Sequence, residues 1–408
     1  MKSSTLALLL SATLVTPLSF GQTYDESVAA FKRKDYSTAL TGLSTLSEAG
    51  NGKAKTGLSV MYLMGLGVSK DAKKAFELAR QGADQGAPMS QMWLSEMYAN
   101  GMGTPANGGQ AFAWASKAAE QGDLDAAYRL AHHYGQGNGV PPDPLLALKM
   151  MRRSAQGGHA KAQGHLGEMF LYGRGMAKDV AEAARLSRLA AEQGDARGQF
   201  ILSRLYGSGE GVPKDLKLAF QWNMKAAQQG IATAQHQHAL YLDTGAGNQR
   251  DAIEWYRKAA DQGLLESQLT LARLYLSGRN NVERDVKQAL AYMQQAADQG
   301  SPQAKYCLGI LYSLDSHGPG NREKAAHWIG EAAQAGFPEA QVSLATLYLH
   351  GQGAPGEHQL AEQAYMSLAI SSNAGNADVT KLRAEAGTLL TAAQRDRLDA
   401  IAAGFRPQ

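Results

Sequence analysis

Ten histidines, one cysteine and 37 acidic side chains are the residues from which a catalytic or metal site would be assembled here. His236 and His238 are two apart, and in a helix such a pair points to different faces, so it does not clamp a metal ion. The adjacent His132 and His133 do no better. Cys307 stands alone, which excludes an internal disulfide and a Cys-rich zinc site; it reads as a small buried apolar residue. Carboxylates such as Glu96 and Glu168 are separated by one or more repeating segments, and no pair is isolated in an apolar setting. His-Glu-x-x-His, Gly-x-Ser-x-Gly, Ser-x-x-Lys and the phosphate-binding P-loop do not occur. Glycine pairs such as Gly65/Gly67, Gly101/Gly103, Gly173/Gly175 and Gly351/Gly353 follow helical rather than strand patterns, so they do not cradle phosphate. The residues predict no catalytic group, no metal and no cofactor.

A recurring frame carries these side chains. Gln-Gly after an Ala-rich stretch closes Ala83–Gly86, Ala119–Gly122, Ala191–Gly194, Ala227–Gly230, Ala260–Gly263 and Ala297–Gly300. With weaker versions at Gly50, Gly158, Gly336 and Gly375, successive marks lie 36, 36, 36, 36, 36, 33, 37, 36 and 39 residues apart. Nine repeats therefore fill 51–375. Within 195–230, two stretches with helical spacing flank the Gly/Pro segment 207–215, which lets two helices turn back on each other. Gly194 and Gly230 suit the left-handed position past a helix end, where a Cβ is penalised.

Comparison of the repeats with one another separates frame from variation. The fourth position is always small (Ala54, Ser90, Ala126, Ala162, Gly198, Ala234, Ser267, Ala304, Ala340). The eighth is Leu in eight of nine repeats and the twelfth is usually aromatic, as in Tyr62, Tyr98, Phe170 and Tyr312. Small residues let helices approach, and the Leu/Tyr stripe buries against the neighbouring pair. Trp114, Trp222, Trp255 and Trp328 are expected to fill equivalent gaps on second helices. Repeat six departs from the pattern: it is three residues short and has His238 where Leu is expected, which suggests a kink or notch.

The 408 residues are 44% apolar and 19% charged, a balance that folds rather than stays disordered. Forty Lys+Arg against 37 Asp+Glu leave +3, too small an excess to point to nucleic acid or an anionic membrane as partner. Lys2, the apolar run Leu6–Val15, Pro17 and the small residues around Ser19 and Gly21 have the order of a cleavable signal peptide over 1–21. That run is too short to span a bilayer, and no cysteine near the cleavage point offers a lipid anchor. The expected location of the mature chain is the bacterial periplasm.

The pattern Ala-x-x-x-Leu-(small)-x-Leu-Tyr-x-x-Gly-x-Gly-Val-x-x-Asp…Ala…Trp…Ala-Ala-x-Gln-Gly resembles the Sel1-like repeat, a relative of the tetratricopeptide repeat, across about 51–375. The resemblance implies an all-α, right-handed α/α superhelical solenoid of about nine hairpins. Residues 22–50 resemble a half repeat acting as an N-terminal cap, and the more charged stretch 376–408 suits a C-terminal capping helix and tail. Solenoids of this kind present one concave face, lined by first helices, to a protein partner. A helical wheel sets positions six, ten and thirteen nearly opposite four, eight and eleven. The variable residues at six and ten make the candidate partner surface: Met92, Glu96, Tyr128, His132, Glu168, Phe200, Arg204, Arg273 and Tyr306. Three functions stand open on this reading. The first is a non-enzymatic periplasmic interaction scaffold with an envelope or secretion partner. The second is an immunity protein neutralising a lipase-like toxin of type VI secretion, and the third is a cell-wall enzyme acting on peptidoglycan or a β-lactam. Cys-rich members of the family are linked to β-lactam binding or hydrolysis, and this chain lacks their paired cysteines.

Overall fold

Short polar residues start most of these helices. In the first repeats the side chains of Asn51, Asp71, Asn107, Asp123, Asp143 and Asp195 each accept a hydrogen bond from a backbone N–H in the first turn that follows, satisfying a donor the helix cannot. The computed structural model describes residues 22–244, 249–278, 282–313, 321–349, 357–371 and 377–404. The expected signal peptide at 1–21 and the pair Gly351/Gly353 lie outside them.

Among the described residues every regular element is an α-helix. α1 (Tyr24–Lys32) and α2 (Tyr36–Glu48) precede the repeats. First and second helices then alternate as α3 (Gly52–Met64), α4 (Ala72–Asp84), α5 (Pro88–Asn100), α6 (Gly108–Glu120), α7 (Leu124–Gln136) and α8 (Pro144–Gln156). They continue as α9 (Ala160–Tyr172), α10 (Val180–Glu192), α11 (Ala196–Ser208), α12 (Leu216–Gln228), α13 (Ala232–Thr244) and α14 (Gln249–Ala260). α15 (Leu265–Ser277), α16 (Val286–Asp298), α17 (Pro302–Ser313), α18 (Asn321–Gln334), α19 (Pro338–Leu349) and α20 (Glu357–Ser371) complete the series. α21 (Ala377–Thr388) and α22 (Ala392–Ala403) close the chain. The N-terminal segment is thus a helical hairpin rather than a half repeat, and two helices rather than one follow the last repeat. The helices form two compact units that divide within α12, after Trp222.

Among the described residues the hairpins of repeats one to five and seven are tied by the same three devices. A glycine with φ between +61° and +79° ends the first helix at Gly65, Gly101, Gly137, Gly173, Gly209 and Gly278. The N–H of the residue that caps the second helix then reaches back to the carbonyl of the twelfth position: Asp71 to Tyr62, Asn107 to Tyr98, Asp179 to Phe170 and Asp285 to Tyr275, at 2.8–3.0 Å. Gly194 and Gly230, with φ of +89° and +94°, turn the chain out of the second helix. The three residues missing from repeat six fall in the short link between α13 and α14, of which 245–248 lie outside the described residues.

The core follows from the invariant positions. Ala54, Ala126, Ala162, Ala234, Ala304 and Ala340 have no exposed surface, and Leu94, Leu202, Leu271 and Leu308 have at most 1%. His238, the exception at position eight, is buried edge-on against the Trp255 ring. The four second-helix tryptophans are only half-buried, and lysines lie over two of them: Lys117 over Trp114 and Lys258 over Trp255. The fully enclosed tryptophan is Trp93, on the first helix α5, whose Nε1–H donates to Ser59 Oγ at 2.8 Å.

The Gln-Gly signature has a packing reason of its own. In repeats two, four, five, six, seven and nine the fifth position is Gln, and its Nε2 donates to the carbonyl three residues before the preceding repeat's closing glycine: Gln91 to Ala83, Gln163 to Ala155, Gln199 to Ala191, Gln235 to Ala227, Gln268 to Ala260 and Gln341 to Ala333. Its Oε1 accepts from the glutamine beside the same repeat's own closing glycine in Gln121→Gln91, Gln193→Gln163, Gln262→Gln235 and Gln299→Gln268, at 2.7–2.8 Å. Three helices are thereby joined through one amide. Repeat three has Ala127 at this position, and Arg153 from its second helix takes over, donating to Ala119 O at 2.7 Å. Repeat eight has Lys305, which pairs with Glu331 at 3.0 Å.

Candidate functional site

The first helices of repeats two to five, all in the N-terminal unit, expose a contiguous strip of charged and aromatic side chains. It begins at Glu96 on α5, which accepts from Arg129 on α7 at 3.3 Å; Arg129 also holds Asp125 at 3.0 Å. Asp125 in turn lies 3.5 Å from His159 Nε2, at the start of α9. Burial alone would raise the Asp125 carboxyl, but the His159 hydrogen bond and the Arg129 charge outweigh it and bring the group down to about 2.

Tyr128 sits at the centre, half-buried, with its ring 4.7 Å from His132, 5.1 Å from His159 and 5.3 Å from His165. Its hydroxyl is 3.2 Å from His165 Nδ1. Burial pushes the Tyr128 phenol up to about 12 and the His165 imidazole down to about 3, with Arg197 reinforcing the histidine shift. His132 is lowered by burial and then by Arg197. His132 and His165 are therefore neutral at neutral pH and pack as polar aromatics.

Beyond them the strip becomes cationic. Glu168 on α9 holds Arg197 on α11, and Arg174 in the loop after α9 at 3.4 Å. The guanidinium groups of Arg174 and Arg204 lie over the Tyr172 ring at 4.9 and 5.5 Å, and Arg204 also donates to the Tyr172 hydroxyl. Tyr172 is 40% exposed.

Five of the nine sequence-derived residues thus come together: Glu96, Tyr128, His132, Glu168 and Arg204. Met92 does not belong; it is 4% exposed and packs against Ala115, Ala118 and Leu130 in the core. Phe200 is half-buried against the Leu171, Ile201 and Leu205 cluster. Arg273 and Tyr306 belong to the C-terminal unit. Arg273 is exposed on α15, and Tyr306 is half-buried on α17 with its hydroxyl 3.1 Å from Ser343 Oγ.

Position six is the reason for these differences. Its side chains meet the next first helix rather than open space: Thr56 bonds Ser90 at 2.7 Å, His236 bonds Ser267 at 2.8 Å, and a Cβ on Gly164 would collide with Asp195. The open face is instead made by positions three, seven, ten and fourteen, which supply Asp125, Arg129, His165, Tyr172 and Arg197. Those residues, with Arg174, were not anticipated. The signal that finds them is a 3.6-residue stripe rotated roughly a quarter turn from the opposite-of-core direction.

Chemistry has few footholds. His236 and Ser267 pair like a base and a nucleophile, but Ser267 has no exposed surface to offer a substrate. Among the described residues no group of three or more His, Cys, Asp or Glu side chains is arranged to hold a metal ion. Cys307 is a half-buried free thiol, raised by burial. Among the described residues no helix is long and apolar enough to cross a membrane.

The Sel1 repeat matches nine times, over residues 52–86, 88–123, 124–159, 160–195, 196–231, 232–264, 265–301, 302–337 and 338–365. The chain belongs to the Sel1 repeat family, and its fold is the helical-hairpin solenoid of that family. A protective antigen present in uropathogenic Escherichia coli strains, which displays this fold, is 27% identical over 93% of this chain and 90% of its own, with a TM-score of 0.54. A Sel1 repeat protein from Oxalobacter formigenes is 30% identical over 58% of this chain and 99% of its own, also at 0.54. An immunity protein from Pseudomonas aeruginosa is 23% identical over 53% of this chain and 81% of its own, at 0.36, too distant to inform function. Comparison with curated proteins finds no match. Sel1 repeats generally mediate protein–protein interaction.

Proposed function

We propose that this protein is a non-enzymatic interaction scaffold whose partner docks on the first-helix strip running from Glu96 to Arg204. The observation that carries this reading is the Tyr128–His132–His165 cluster continued by the Tyr172, Arg174 and Arg204 group. It is a continuous surface of half-exposed aromatic and arginine side chains, the residue types that dominate protein interfaces. The signal-like sequence at 1–21 supports a bacterial periplasmic setting for the proposed interaction.

Affinity capture from periplasmic extract tests it, comparing wild type with a His132→Glu/Arg204→Glu variant by quantitative mass spectrometry. A protein retained by wild type and lost with the variant is expected; equal recovery with both refutes the strip as the docking face. Accumulation of the chain in the cytoplasm of fractionated cells, with 1–21 still attached, refutes the proposed location. The immunity and cell-wall readings have no observation of their own in the fold or the strip.

A further inference from the structure

The two ends of the strip differ in charge. At the Glu96 end each carboxylate is answered by a cation, since Glu96 and Asp125 share Arg129. At the α9–α11 end the balance tips. Lys161, Arg174, Arg197 and Arg204 face Glu168 and Asp195, and Asp195 is already engaged as the cap of α11, accepting from the Gly198 N–H. Glu168 is divided between Arg174 and Arg197. Among the described residues Arg204 has no carboxylate partner, and its guanidinium is held by the Tyr172 ring and hydroxyl. Arg174 keeps 66% of its side chain exposed although it bonds Glu168. Two guanidinium forks are therefore fixed over one exposed aromatic ring, with donors left to give. The field reaches inward as well, since Arg197 contributes to holding both His132 and His165 in their neutral forms.

Guanidinium groups fixed in this way match the planar, two-oxygen geometry of a carboxylate, and the Tyr172 ring supplies an apolar floor for the methylene stem that carries it. We propose that Tyr172, Arg174 and Arg204 form an anchor for an acidic segment of a partner protein, an Asp- or Glu-bearing stretch lying across α9 and α11. This rests on the strip being the docking face and names the chemistry it selects.

A fluorescein-labelled ten-residue peptide of alternating Glu and Gly, and the same peptide with Gln for Glu, are titrated with the full chain by fluorescence anisotropy. The Glu peptide is expected to bind and the Gln peptide to bind at least tenfold more weakly. Arg204→Gln and Arg174→Gln are each expected to weaken the Glu peptide about fivefold, and the pair by tenfold or more, the scale of a partly exposed ion pair. Tyr172→Phe keeps the ring and is expected to lose less than either arginine. Arg152→Gln, an exposed arginine on the second helix α8, is expected to change nothing. Far-UV circular dichroism identical to wild type shows that each variant is folded.

Equal binding of the Glu and Gln peptides overturns the proposal, as does retention of full affinity by the double variant. Binding of phosphatidylglycerol vesicles through the same two arginines, with no peptide binding, overturns it in favour of a lipid surface. If the double variant still captures the periplasmic partner while the peptide fails to bind wild type, the acidic chemistry is wrong and the docking face stands. Loss of the partner with His132→Glu/Arg204→Glu but not with the arginine-to-glutamine pair places the contacts at the histidine end instead.

Discussion

Truncating Gln163 to Ala tests whether the buried amide ladder holds consecutive repeats together. Gln163 is 5% exposed; it donates to Ala155 O at 3.2 Å and accepts from Gln193 Nε2 at 2.8 Å. The Ala155 carbonyl keeps a second bond from the Gly158 N–H at 3.0 Å, and Gln193 is exposed enough to turn its amide to water. Truncation therefore orphans no group outright. It forfeits one interior bond worth about 1 kcal/mol and one peripheral bond worth about 0.5 kcal/mol. The buried methylene adds about 0.8 kcal/mol. A loss of about 2–3 kcal/mol is expected, read as a lower midpoint in urea denaturation followed by far-UV circular dichroism. Amides of α8 and α9 should exchange faster with solvent in the same variant. Gln163→Met restores volume without the bonds and should recover about 1 kcal/mol of that loss. A Gln163→Ala midpoint within 0.5 kcal/mol of wild type, or a Met variant as stable as wild type, would show that the ladder is incidental.

The same logic predicts that Arg153→Ala costs about 1–2 kcal/mol, and that adding Ala127→Gln regains at least half of it in the same denaturation assay. Gly139→Ala should cost more than about 3 kcal/mol, because its φ is +78° and a Cβ would collide with the Gly108 backbone; Gly194→Ala, at +89° in open space, should cost only about 1–2 kcal/mol. Calorimetry of the two variants separates these cases by their melting temperatures. Stability should also fall between pH 7 and pH 5. His165 stays neutral in the folded chain, at about 3, while the unfolded chain takes up a proton near its ordinary value, and the difference at pH 5 is about 2 kcal/mol. Asp125, lowered to about 2, contributes stability that is complete above its unfolded value and is lost only below about pH 4. His165→Gln should therefore flatten the pH 5–7 slope and leave the steeper acid limb in place.

The repeat frame was legible because it depends on residues whose chemistry is local. Glycines after helices, small residues at position four, leucines at position eight and a spacing of 33–39 residues repeat whatever surrounds them. The direction of the open face was not. A wheel treats a helix as buried on one side, whereas first helices here pack against second helices and, as at Thr56–Ser90, Tyr128–His165 and His236–Ser267, against a neighbouring first helix. Position six, opposite the leucine stripe, thus faces the next first helix: Thr56 at 1% and Met92 at 4% exposure are enclosed, and Tyr128, Phe200 and Tyr306 are half-buried. Glu96, His132, Glu168 and Arg204 lie along the strip because position ten borders both zones. Tyr172, Arg174 and Arg197 depend on contacts between residues 6–32 apart in sequence, for which one sequence offers no marker. The Gln-Gly signature was visible as a phrase, but its meaning lay in a carbonyl of the preceding repeat.

The exchange of Gln for Arg at repeat three has a consequence for how such a chain can lengthen or shorten. Ala127 and Arg153 lie within one repeat, as do Lys305 and Glu331, so each substitution travels with its compensation. A gene rearrangement that cuts at the closing glycines delivers a self-consistent cassette. One that cuts inside a hairpin leaves a mismatched amide or an unanswered charge. In this chain the self-consistent seams are therefore the closing glycines, set by side-chain pairing inside a hairpin rather than by loop sequence.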